Sequence, residues 1–141
     1  MLKLTLGALA AATIATAAQA ATPSPTEIVN RHMEAASKRD VNALMADYAD
    51  DAVVLQAGTA VQGKAAIRAL FERLFPANPP AGGAPGALGK ITPSKVWEEG
   101  NVGFVSWTMG TATNGTDEFI VRDGKIAVQA VFIGGPPPAA R

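Results

Sequence analysis

Four side chains of this sequence stand where polar chemistry could be done: His32, Gln56, Asp117 and Gln129. His32 is the single histidine, set in a run (Ile28, Val29, His32, Met33, Ala36) whose spacing predicts one face of a helix. Its ordinary pKa suits proton transfer near neutrality. A buried histidine bonded to a backbone carbonyl would show the same spacing. Asp117 alternates with Phe119 and Val121 on one side of a predicted strand, while Glu118, Ile120 and Arg122 fall on the other. A carboxyl among Phe and Val is desolvated, which raises its pKa; it can then donate a hydrogen bond, or ionise beside a cation. The competing reading places Asp117 in solvent at a strand start, just after an Asn114-Gly115 turn. Gln129 recurs with Val131 and Ile133 at period two. It belongs either to a pocket face, where a ligand or Gln56 must partner the amide, or to a solvated outer face. Gln56 ends the apolar run Val53-Val54-Leu55 just before a turn. A carboxylate there could be a general base; an amide cannot accept and carry a proton in that way.

Other chemistries lack their residues. The chain has no Cys, no G-x-S-x-G elbow, and no P-loop or G-x-G-x-x-G fingerprint between a strand and a helix. One His without H-x-x-E or H-x-H spacing argues against a zinc site, so no metal or cofactor is expected. Asp50 and Asp51 resemble catalytic acids. Their expected place at a helix C-terminus favours a structural role, pairing with Arg68 or Lys64. Trp97, Phe104 and Trp107 read as core or interface aromatics.

The elements that must position these groups follow from spacing and punctuation. Ser24-Pro25-Thr26-Glu27 is a capping box with Pro at the first helical position, opening a helix over 24–38. Asp40 caps a second short helix with Val41, Leu44, Met45 and Tyr48 inward, closed by Asp50-Asp51. Short strands over 52–56 and 59–62 flank Gly58. A third helix, 64–75, carries Ile67, Leu70, Phe71 and Leu74 on one face and stops at Pro76. Residues 76–89 are Pro, Gly and Ala without periodicity, a long loop. Three turn signals, Gly100-Asn101, Asn114-Gly115 and Asp123-Gly124, then divide strands near 90–99, 102–113, 116–122 and 125–133. The fold class is α+β: a curved antiparallel sheet packed on three N-terminal helices.

The ends read differently from the middle. Lys3, the uncharged stretch from Leu4 to Ala17 and the A-x-A site Ala18-Gln19-Ala20 have the pattern of a signal peptide over residues 1–20. The expectation is an exported protein, periplasmic or secreted, with one domain over 21–134 and a Pro-rich tail over 135–141. With 12 basic and 12 acidic residues and no Lys/Arg cluster, nucleic acid is not an expected partner. After the signal, no apolar run is long enough for a membrane span. Without Cys, stability must come from packing.

The stretches "ALMADYADDAVV", "VQGKAAIRALFERLF" and "GTDEFIVRDGKIAVQAVFIGG" resemble the nuclear-transport-factor-2-like superfamily over about residues 26–134. That superfamily includes ketosteroid isomerases, SnoaL-like polyketide cyclases, scytalone dehydratase and limonene epoxide hydrolase. The resemblance implies a cone-shaped pocket between sheet and helices, often in a homodimer through the outer sheet face. Against ketosteroid isomerase, the protonated acid position matches Asp117, the first-helix tyrosine matches His32, and a third-helix tyrosine matches Phe71. The aspartate base position matches Gln56. Ketosteroid isomerase keeps its acid neutral in an apolar site so that it can donate a hydrogen bond. On this reading His32 and Asp117 are the catalytic candidates. Gln56, Phe71, Phe119, Gln129, Val131 and Tyr48 would contact substrate. The function implied is a pocket for a small apolar molecule, with isomerase- or cyclase-like action on a carbonyl compound. The alternative is a non-catalytic ligand-binding or dimeric assembly module.

Overall fold

The computed structural model describes residues 21–76, 89–110 and 113–134. The signal-peptide pattern (1–20), most of the Pro/Gly loop (76–89) and the tail (135–141) lie outside the described residues. Among the described residues, three helices precede most of the sheet: α1 (Pro25–Lys38), α2 (Val41–Asp47) and α3 (Lys64–Leu74). The strands are β1 (Tyr48–Gln56), β2 (Thr59–Gln62), β3 (Ile91–Glu99), β4 (Val102–Met109), β5 (Thr113–Arg122) and β6 (Lys125–Gly134). They form one open sheet in the order β2-β1-β6-β5-β4-β3.

Local chemistry explains the helix starts. The Ser24 hydroxyl accepts from the Glu27 amide at 3.2 Å and the Glu27 carboxylate accepts from the Ser24 amide at 2.7 Å, so α1 opens on a complete capping box. The Asp40 carboxylate accepts from the Ala43 amide at 3.0 Å and opens α2. One face of α1 buries Ile28, Val29, His32, Met33, Ala35 and Ala36 against the sheet. Ile28 and Val29 are fully buried, each stabilising the fold by about 1.5–3 kcal/mol. Arg31, on the opposite side, donates to the buried Asp47 at 2.5 Å and ties α1 to the end of α2.

Three expectations need correction. The sheet is mixed rather than wholly antiparallel, because β1 pairs parallel with β6, from Val53 opposite Val128 to Gln56 opposite Val131. Pairing across the two halves of the chain leaves no local turn signal. The second helix ends at Asp47, and Asp50 and Asp51 lie in β1. Asp50 sits 3.7 Å from Lys64, one of its two expected partners, while Asp51 pairs with Arg122 at 2.9 Å. Third, Asn114 and Gly115 are not a turn: they lie inside β5, opposite Thr108 and Trp107. The chain leaves β4 at Gly110, whose φ of +62° suits the reversal. Gly115 instead makes room. A Cβ there would come within 2.3 Å of the Trp107 ring, so the indole lies across the strand where a side chain would stand.

Candidate functional site

Three adjacent strands each deliver one polar group to the same place on the sheet's inner face. β4 supplies Trp107, β5 Asp117 and β6 Gln129, all buried. Asp117 stands opposite Val105 on one side and Val131 on the other. Gln129 is opposite Phe119 and Trp107 opposite Gly115, so both reach Asp117 along a diagonal. The Trp107 indole N–H donates to Asp117 Oδ1 at 2.8 Å, and the Gln129 amide N–H donates to Asp117 Oδ2 at 2.8 Å. From the start of β1, the Tyr48 hydroxyl donates to Gln129 Oε1. That bond decides which end of the amide is the acceptor, leaving the NH2 to point at the carboxyl. Every donor in the chain Tyr48, Gln129, Asp117, Trp107 points towards Asp117.

α1 lays His32 beside this network. Its ring packs edge-on against Phe119 at 4.9 Å, Tyr48 at 5.8 Å and Phe71 at 6.0 Å. His32 Nδ1 is buried without a hydrogen-bond partner. Burial among rings disfavours the charged imidazole and lowers the His32 pKa to about 3. Burial likewise raises the Asp117 pKa, opposed by the bonds from Trp107 and Gln129. Desolvation, with the nearby Asp117 and Asp47 charges, holds the Tyr48 hydroxyl well above its ordinary value, so it stays a donor. Among these three groups Asp117 is the one whose shift is opposed: burial raises its pKa and the two hydrogen bonds hold it back, with the net change upward.

A cavity of about 50 Å³ lies between α1, α3 and the inner sheet face. Its inner end is made by His32, Phe71, Trp107, Asp117 and Gln129; partly exposed Gln56, Leu70, Leu74 and Val131 and exposed Ile133 mark the mouth. The sheet-and-helix frame thus brings six of the eight candidate residues to one cavity: His32, Gln56, Phe71, Asp117, Gln129 and Val131. Tyr48 and Phe119 stand behind that wall, Tyr48 bonded to Gln129 and Phe119 packed on His32.

Comparison with known proteins now places the fold. A family model described as the SnoaL-like domain matches residues 29–129. The chain belongs to the SnoaL-like domain family. Several of the solved structures it resembles are described as nuclear-transport-factor-2-like. One is a nuclear-transport-factor-2-like protein of unknown function from Burkholderia xenovorans, with TM-score 0.66, 22% identity and coverage of 81% of this chain and 85% of that one. A putative polyketide cyclase from Sinorhizobium meliloti has TM-score 0.60 and 26% identity, covering 74% of this chain and 92% of its own. An LEH-like epoxide hydrolase from M. tuberculosis has TM-score 0.59 and 17% identity, covering 78% and 82% respectively. No curated protein matches the sequence.

In this SnoaL-like domain His32 and Asp117 share a cavity but no hydrogen bond joins them among the described residues. The two catalytic candidates are therefore not paired directly; the partners of Asp117 are Trp107 and Gln129. Gln129 takes Tyr48 and Asp117 rather than Gln56. The residue that sequence reasoning missed is Trp107. Its signal was present in Gly115 on the facing strand, which reads as a turn until the strand register is known.

Proposed function

We propose that this SnoaL-like domain is an exported small-molecule-binding protein whose ligand seats its polar end on Asp117 and its apolar body between α3 and the sheet. The observation that carries this reading is the buried Asp117 at the cavity's inner end, with both oxygens oriented by N–H donors and space beside it. A carboxyl held solely for stability is an expensive choice here, since an apolar residue of similar size would avoid its desolvation. Ligand cavities are commonly apolar with a few oriented polar groups. A screen of small apolar compounds by nuclear magnetic resonance tests it. Ligands should shift the Trp107 indole N–H signal and leave that of Trp97, which is stacked on Phe104. If Trp97 and Trp107 respond alike, or neither does, the cavity reading fails.

The raised pKa of Asp117 at the cavity's inner end favours a second reading, isomerase- or cyclase-like action on a carbonyl compound. Asp117 would then be the group that exchanges a proton or donates to the carbonyl oxygen. His32, neutral at working pH, would only hydrogen-bond. Gln56 supplies no base, so turnover of a small open-chain enone by the wild-type protein, abolished in Asp117→Asn, is the required result. Activity that arises only in Gln56→Asp would instead support a binding protein with an isomerase-like frame.

Export is supported by the n-region, apolar stretch and A-x-A site of residues 1–20. Intact-mass measurement of protein recovered outside the cytoplasm should give a chain starting at Ala21. A homodimer is supported by the exposed apolar outer face of the sheet, including Leu55, Ile120 and Phe132.

A further inference from the structure

The chemistry of the cavity narrows its ligand, on the assumption that the binding reading above is right. A carboxylate has about four acceptor positions. Trp107 and Gln129 use one on each oxygen, both as donors, which is the arrangement that suits an anion. Among the described residues no lysine or arginine lines the cavity, so no side chain there neutralises that charge. His32 adds none, being neutral, and its Nδ1 is a buried polar atom without a partner. In the tautomer protonated on Nε2, Nδ1 is an acceptor. Two acceptor positions on Asp117 therefore remain without donors. Around them stand Phe71, Phe75 and Trp107, whose ring faces attract cations.

We infer that the cavity receives the ammonium head of a small organic amine, with Asp117 as its counter-ion and the apolar tail leaving through the mouth beside Leu74 and Ile133. An ammonium brings three donors and the missing positive charge. A hydroxyl brings one donor and no charge. A carbonyl brings no donor and would face the carboxylate with its own oxygen. The enclosed space, about 50 Å³, is well below what a benzene ring occupies in a dry cavity, so it fits a head group and not a ring system. The linear tail would run along Leu70 and Leu74 of α3.

Four probes of one length decide it: n-hexylamine, 1-hexanol, 2-hexanone and hexanoate, titrated near pH 7 while the Trp107 and Trp97 indole signals are followed. Hexylammonium should bind about tenfold or more tighter than 1-hexanol, the margin between a charge-assisted and a neutral hydrogen bond. Hexanoate should not bind. In Asp117→Asn the amine should fall to parity with the alcohol while the alcohol keeps its affinity. Equal or tighter binding of the alcohol or ketone overturns the amine assignment and leaves the binding reading standing. Survival of the amine preference in Asp117→Asn also overturns it. If no probe moves Trp107, both readings fall together. Should Asp117→Asn not fold, the wild-type ratio of amine to alcohol decides alone.

Discussion

The two faces of strands β4 to β6 are built from alternate residues of the same segments, yet they are unfinished in opposite ways. The inner face turns Trp107, Asp117, Phe119 and Gln129 into a buried layer. Among the described residues, His32 Nδ1 is the buried side-chain polar atom it leaves without a partner. The outer face carries half-buried Glu118 and turns Ile120 and Phe132 to solvent, 41% and 55% exposed, with Trp97 stacked on Phe104 at 5.1 Å. The inner face thus lacks a charge partner, and the outer face lacks a cover. One deficit suits a ligand's head group, the other a second protein surface. Polar burial is costly when unpaired, whereas scattered surface apolar groups cost little until they meet a partner. Substitutions on the two faces should therefore fail by different measurements.

The largest expected effect is on the inner face and comes from acid. His32 has its folded pKa lowered from 6.5 to about 3. Below 6.5 the unfolded chain takes up a proton that the native state refuses. Its contribution is whole above that pH and is lost as pH falls towards about 3, a change of roughly 5 kcal/mol. Asp117 has the opposite sign. Its folded pKa is raised from 3.8, so its contribution is whole below that value and is lost as pH rises through the folded pKa. Urea denaturation across this range should show steep acid loss in wild type, a flattened profile in His32→Leu, and an even steeper one in Asp117→Asn. A wild-type profile flat from pH 7 to 3 would remove the account of a neutral, buried His32.

Core truncation comes next. Phe119→Ala empties a fully buried site against His32 and should cost about 3–5 kcal/mol in the same assay at neutral pH. Gln129→Leu keeps the volume but strips the partner from Tyr48 and one from Asp117. About 1–3 kcal/mol is expected. The Trp107 indole signal should stay in place, because its own bond to Asp117 is untouched. Movement of that signal would mean the network relaxes as one unit.

The same contrast explains what the sequence made legible. Alternation separated Asp117, Phe119 and Val121 from Glu118, Ile120 and Arg122, and that split holds in β5. Capping at Ser24 and Asp40 marked α1 and α2, since each cap and its partner lie within four residues. Contacts between distant strands left no such mark. Tyr48 and Gln129 are 81 positions apart, and nothing local in either predicts their bond. Asn114-Gly115 was misleading because glycine serves two needs, positive φ in a turn and the missing Cβ that admits Trp107. Only strand register tells these apart. The parallel pairing of β1 with β6 was hidden for the same reason: it depends on which strand fills the gap left by a long crossover.

On the outer face the expected effects are smaller and of another kind. Phe132→Asp should change monomer stability by less than about 0.5 kcal/mol, since the side chain is exposed. It should, however, lower the mass measured by light scattering from dimer to monomer. Wild type already monomeric at high concentration would leave that face without a cover. Comparably small, and without any change of mass, is Asp51→Asn. Its pair with Arg122, 58% exposed on the arginine and 71% on the aspartate, should contribute under about 1 kcal/mol and fade with added salt. The size of this last effect is informative because it depends on the cover. A pair left in water stays weak, but the same pair shielded by a second subunit loses solvent screening. A salt-insensitive loss of several kcal/mol at Asp51, vanishing in the Phe132→Asp background, would place the pair inside an interface and make the outer face as costly to disturb as the inner one.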